Sequence, residues 1–310
     1  MDRLFSGKTV LLLDSFRKVA LLNLLHIMEK EYFLKILSLL FIIAITLITC
    51  QEEAQMTFNE NDLSQLNISQ KKLDQLKSKR ILLGHQSVGN NILDGIKKLM
   101  ECNAGLHLTI QEVNSSDVFD QPLFGHFFVG RNTDPKSKCD SFKKMMDSGI
   151  GKNVDIAFFK LCFVDIQDTT NIEQVFDFYV ETMEYLKNKY PEVTFIHVTT
   201  PLTTIPDDPI TKIKSLMKRI IKKPDWVYTS LVQRNKYNNL LVANYGGKEP
   251  VFNLATIEST WPDGHTQKFT YHGENYYSLV PLYAYDEGHL NNYGQIQAAK
   301  ALITSLCELN

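Results

Sequence analysis

No long run of one charge sign interrupts this chain, and its 33 Lys and Arg nearly balance 35 Asp and Glu, for a formal net charge of -2. That removes the electrostatic footprint of a nucleic-acid binder, so no nucleic acid is expected among its partners. Cysteine is sparse, five in 310 residues. Four of them, Cys102, Cys139, Cys162 and Cys307, are widely scattered and show no metal-ligand spacing. They allow three disulfide pairings among which sequence cannot choose, and buried free thiols are the plainer reading. His85, His265 and His272 match no standard zinc motif, so no metal is expected. No internal repeat is visible either. What is present is a balance of 44% hydrophobic and 22% charged residues, enough apolar mass for one sizeable core.

One segment departs from that balance. From Phe33 to Thr49 the chain is almost continuously apolar, with no charge between Lys35 and Glu52. The run is short for a membrane span and follows a small charged region, Glu29-Lys30-Glu31 and Lys35, as in an export signal. It ends Leu47-Ile48-Thr49-Cys50, which resembles a bacterial lipobox, with Cys50 as the acylated residue; Thr49 stands where Gly, Ala or Ser is usual. Residues 1–27 fit no export head, and Met28 is a plausible start, giving a signal over 28–50. The polar stretch 51–79, rich in Asn, Gln, Lys and Glu, reads as a tether lifting a domain from a membrane surface, with a helical tendency over 62–76. The resulting expectation is a bacterial cell-envelope protein held to the membrane by a lipid anchor.

From residue 80 to 310 the pattern alternates. Arg80-Ile-Leu-Leu-Gly84 predicts a strand, and Ile92, Ile96 and Leu99 at helical spacing predict the helix after it. Further strands are expected at 108–113, 154–159, 193–198 and 250–254, and helices over 171–189, 224–245 and 291–309. Strands separated by helices imply parallel pairing through right-handed crossovers, with the sheet covered on both faces. Sites in such sheets form beyond the carboxyl ends of the strands.

Two loops carry candidate chemistry. Gly84-His85-Gln86-Ser87-Val88-Gly89 puts Ser87 where the first strand turns into a helix, beside the free N–H groups of the first helical turn. A helix-capping role would explain a serine there equally well. Near the other end, Asp286-Glu287-Gly288-His289 precedes the last helix and supplies together a base and the carboxylate that orients it. A polar loop with Asn291 as helix cap accounts for Asp286 but gives no reason for His289. The α/β-hydrolase elbow Gly-x-Ser-x-Gly does not fit, since one residue too many precedes Ser87.

Together the early serine turn and the late Asp-x-x-His loop resemble the SGNH, or GDSL-like, hydrolase superfamily across essentially all of 80–310. The resemblance implies a three-layer α/β/α sandwich around a flavodoxin-like five-stranded parallel sheet. It implies Ser87 as nucleophile, His289 as general base and then acid, and Asp286 as its orienter, with no cofactor. Phe128-Val129-Gly130-Arg131-Asn132 is the counterpart of the family's second block, which makes Gly130 an oxyanion donor through its N–H. The third block, normally Gly-x-Asn-Asp, reads Lys160-Leu161-Cys162-Phe163-Val164-Asp165 and lacks the expected Asn; the side-chain amide of Asn132 is the candidate replacement. The activity implied is hydrolysis of an ester, a small acyl group on a carbohydrate or cell-surface polymer. The alternative is a silent glycan- or surface-binding lipoprotein on the same fold. Lys160 and Asp165 are expected to pair with each other or line a pocket. Arg234, Asn238, Glu258 and Asp263 lie where a substrate wall would run, although Arg234 and Asn238 at i, i+4 read more simply as a solvated helix face.

Overall fold

The computed structural model describes residues 64–206 and 225–309. The expected extension 1–27, the signal 28–50 with Cys50, and the first part of the tether lie outside the described residues.

The short apolar run after Arg80 forms β1 (Arg80–His85), buried from Ile81 onward. It lies at the centre of a parallel sheet between β3 (Leu123–Phe128) and β4 (Ile156–Phe159), with Ile81 opposite both Phe124 and Ile156. The sheet runs β2 (Ile110–Glu112), β3, β1, β4, β5 (Thr194–Phe195). Beyond Ile196 the same segment continues as β6 (His197–Val198), which pairs in parallel with β7 (Val251–Phe252). The chain passes from β1 to a neighbour on one side, then returns to β4 on the other. The reversal leaves a crevice at the carboxyl end of β1, where open α/β sheets bind their ligands.

Alternation along the strands builds the two covering layers. Ile81 and Leu83 of β1 and Ile156 and Phe158 of β4 enter one core with α2 (Ser87–Cys102) and α7 (Asn292–Glu308). Leu82, Ala157 and Phe159 face the other way, into a core with α3 (Pro135–Asp147) and α4 (Ile172–Lys189). α5 (Trp226–Tyr245) contributes Leu231 and Val232 to the first and Tyr237, Leu241 and Tyr245 to the second. The expected α/β/α architecture is the observed one.

α2 and α7 set the site, because α2 begins at Ser87 and α7 begins three residues after His289. A Cβ on Gly95 would come within 2.1 Å of the Gln295 carbonyl oxygen, so only glycine allows the helices this close. Ile96, Leu99, Leu302, Ile303 and Leu306 are at most 1% exposed along the seam; each such burial stabilises by about 1.5–3 kcal/mol. Lys98 Nζ adds hydrogen bonds to Asn292 Oδ1 and Gln295 Oε1 at 2.7 and 2.6 Å.

Several boundaries differ from the sequence reading. α1 (Gln70–Lys77) buries Leu73 and Leu76 in the first core, and Asn103 grips Ser64 O and Leu66 N, so the later part of the presumed tether is packed structure. β3 was not foreseen; Pro122, Gly125 and His126 disguise its apolar character. Nor was the hairpin of β8 (Lys268–Tyr271) and β9 (Glu274–Tyr277), whose turn uses His272 and Gly273 at positive φ.

Candidate active site

Ser87 is the first residue of α2, and the helix cap is Gln86, whose backbone is extended. A capping role therefore does not explain the serine. Its hydroxyl lies 2.9 Å from His289 Nε2. His289 Nδ1 lies 2.8 Å from Asp286 Oδ2, while Asp286 Oδ1 accepts the Gly288 and His289 N–H groups. With the ring proton on Nδ1 donated to a carboxylate, Nε2 is left to accept from Ser87. Burial works to raise the Asp286 pKa, but the two backbone hydrogen bonds and the imidazole outweigh it, and the carboxyl lies below its usual value. The Phe163 ring stands edge-on to His289, centroids 5.6 Å apart. Asn91 Oδ1 accepts the Leu290 N–H at 3.0 Å, and Asn291 caps α7 by accepting from Gly294 N. The histidine loop is thus fixed where it enters α7.

The unusual first turn has a packing reason. His85 is fully buried, its Nε2 is 3.0 Å from His126 Nδ1, and burial pushes its pKa down to about 4. A Cβ on Gly89 would fall 2.3 Å from that ring, so His85 and Gly89 require one another. Gln86 reaches sideways, its Nε2 donating to the Val129 and Gly130 carbonyls at 3.0 and 3.1 Å, while Val129 N donates to His85 O. Gln86, immediately before Ser87, is therefore what clamps the Gly130 loop to the start of α2.

Gly130 has φ +52°, and a Cβ there would lie 2.6 Å from the Lys138 backbone nitrogen. Among the described residues its N–H has no acceptor, nor has that of Ser87. Asn132 follows on an exposed loop, its Oδ1 accepting from Lys138 Nζ at 3.0 Å. With the oxygen so committed, Nδ2 is available as a donor.

The expected pairing of Lys160 with Asp165 is not observed. Asp165 instead holds Lys138 at 2.5 Å, both side chains wholly buried, and also accepts the Thr133 and Cys162 N–H groups. Its carboxylate stitches the 130–133 and 160–165 loops together. Lys138 and Gln86 were missed by sequence reasoning, because neither position carries a local signal. Lys160 is 2% exposed, and its Nζ meets only Cys162 Sγ, at 4.0 Å; burial lowers its pKa.

The solvated-face reading of Arg234 and Asn238 is overturned, since both are 6% exposed. The β-strand-to-helix segments they pack on offer backbone groups that need partners: Asn238 satisfies Thr200 N and O, and Arg234 the Phe163 and Ile166 carbonyls. Asp263 is exposed and pairs with His265. Cys102 is exposed, whereas Cys139, Cys162 and Cys307 are buried free thiols.

Glu258 is 1% exposed; its Oε2 accepts Leu202 N at 2.6 Å and its Oε1 has no hydrogen-bond partner among the described residues. Burial raises its pKa from 4.5 to about 8. The folded chain therefore keeps a proton that the unfolded chain releases, a contribution complete below the unfolded pKa and lost as pH rises through the folded one. The melting temperature is expected to fall between about pH 5 and pH 8 partly through this group. Glu258→Gln is expected to flatten that fall in thermal scans; an unchanged slope contradicts the assignment.

No protein-family profile matches the chain, and no curated protein matches it. Among solved structures it is similar to a Streptococcus pneumonia protein provisionally assigned as a platelet activating factor, at 12% identity over 87% of this chain and 98% of that one, TM-score 0.43. It is similar to the periplasmic domain of a lipopolysaccharide acetyltransferase of Salmonella ser. Paratyphi A at 11% identity, over 81% and 96%, TM-score 0.41. A candidate lipase from Chitinophaga pinensis gives 15% identity over 74% and 97%, TM-score 0.38.

Proposed function

We propose that this chain is an exported serine esterase, removing a small acyl group from a carbohydrate or related cell-surface polymer through an acyl-enzyme on Ser87. The relay of Ser87, His289 and Asp286, with contacts of 2.9 and 2.8 Å, carries the reading. In it, His289 Nε2 takes the Ser87 proton as Oγ attacks the ester carbonyl, and Asp286 stabilises the imidazolium. The N–H groups of Ser87 and Gly130, with Asn132 Nδ2, receive the oxyanion. His289 then gives its proton to the leaving alcohol, and a water activated by the same ring releases the acid.

The His289 and Asp286 side chains are 34% and 47% exposed. Water reaches them readily, which favours hydrolysis over transfer to a second alcohol. Beside the histidine a shallow open depression is bordered by Asn91, Tyr285, Asn292 and Gln295, polar groups of the kind that hydrogen-bond sugar hydroxyls. The carbohydrate, the envelope location and the lipid anchor at Cys50 belong to the proposal. Release of acetate from acetylated oligosaccharides by the purified chain, absent with Ser87→Ala, is the expected result. A folded wild-type protein that releases none from these or from simple aryl esters would refute it.

A further inference from the structure

Beside the Asp286–His289 loop lies a second cavity, of about 150 Å³. Phe163, whose ring stands edge-on to His289, and the exposed Glu287, adjacent to Asp286, line it, and Trp226, Val227 and Pro206 supply apolar surface. Arg234 also lines it. Arg234 is buried, at 6% exposure, yet it forms no ion pair among the described residues. Nε donates to the Phe163 and Ile166 carbonyls, Nη1 donates to Thr203 Oγ1, and Nη2 has no acceptor among the described residues. Glu258 and Glu287 are the nearest carboxyl influences on it. Burial brings the Arg234 pKa down only to about 10, which leaves a full cation at neutral pH. Glu258 keeps its proton there, with a pKa of about 8, and Glu287 is exposed to solvent.

A buried cation whose partners among the described residues are three neutral oxygens and the Phe163 ring, 5.7 Å from its Cζ, is expensive, and it is compensated best by an anion that arrives with a ligand. The volume admits about five water-sized groups. That is close to the two methylenes and carboxylate beyond the ester carbonyl of a succinyl group, and the cavity is too small for a sugar ring although Gln167, Thr203, Thr204 and Ser230 also line it. We infer that this cavity is the acyl pocket and that Arg234 selects a short acyl chain ending in a carboxylate, the half-ester of a small dicarboxylic acid. The inference rests on the esterase reading for the chemistry, while the pocket's preference is separately measurable.

The experiment uses the full chain carrying Ser87→Ala, titrated with monomethyl succinate and with methyl butyrate, its neutral counterpart of similar length. Binding is followed by the fluorescence of Trp226 on the cavity wall. The succinate ester is expected to bind at least about tenfold more tightly, the minimum for one charge-assisted hydrogen bond. Adding Arg234→Met is expected to abolish that preference. Because Arg234 also holds the 163–166 loop, a second measurement needs no change to it: wild-type kcat/KM for 4-nitrophenyl hemisuccinate against 4-nitrophenyl butyrate, with the same order expected. Equal affinities, or a preference that survives Arg234→Met, overturn the inference. Turnover of the neutral ester with no advantage for the half-ester overturns it and leaves the esterase reading intact. Selective succinate binding with no turnover of either ester does the reverse.

Discussion

Ser87→Ala and His289→Ala are each expected to lower kcat on an aryl ester by about 10⁴- to 10⁶-fold, leaving only what oxyanion donors and binding supply. The physical reason is that neither residue does its work alone. A serine hydroxyl at neutral pH is a poor nucleophile until a base within hydrogen-bond reach removes its proton, and here that base is 2.9 Å away. Combining both substitutions is therefore expected to cost little more than either one. Asp286→Asn is expected to lose about 10⁴-fold, because an amide donating to Nδ1 favours the wrong tautomer. Secondary structure and melting temperature should barely move, since the Ser87 and His289 side chains lie in a partly open crevice rather than in the core. Losses below about tenfold in the single variants would mean that the relay is not what limits the reaction.

The second large effect concerns stability. Lys138 and Asp165 form an ion pair with both side chains at 0% exposure. Lys138→Met leaves a carboxylate in a dry interior with two backbone N–H groups and no counter-charge, and the expected loss is about 3–5 kcal/mol in denaturant unfolding. Asp165→Asn strands the ammonium and is expected to lose a similar amount. Losses under about 1 kcal/mol would show that water reaches the pair and that it behaves as a surface bridge. Both substitutions also release loops beside Ser87, since Lys138 orients the Asn132 amide and Asp165 anchors Thr133 and Cys162. Assayed well below its melting temperature, Lys138→Met is therefore expected to lower kcat more than it raises KM, the signature of a donor that acts mainly in the transition state.

Some of this architecture was readable from the residues and some was not, and the division follows how local each signal is. The first strand, the amphipathic helix after it and the Asp-x-x-His loop announce themselves within a dozen residues, because hydrophobic period and loop chemistry are local properties. β3 did not, since its Gly125 and His126 break the apolar run; its strand character comes from pairing with β1, where Gly125 stands opposite Leu82 and His126 opposite Leu83. Asp165 was visible as a charge at the end of a buried strand, yet its partner lies 27 positions away on another element, and nearby Lys160 was the obvious wrong choice. Arg234 and Asn238 show the same limit from the other side. Their i, i+4 spacing fits a solvated face until the neighbouring segments are seen to bring unpaired backbone groups against it. Gln86 carries no local signal of its role as the clamp on the Gly130 loop, because the carbonyls it holds lie more than 40 positions away.

The most direct test of the central claim is active-site labelling. The purified full chain is treated with a fluorophosphonate, which phosphonylates only serines activated by a neighbouring base, and the modified peptide is mapped by mass spectrometry. The account predicts a single adduct on Ser87 that disappears with His289→Ala. A folded protein that stays unlabelled, or one labelled on a different serine, would contradict it.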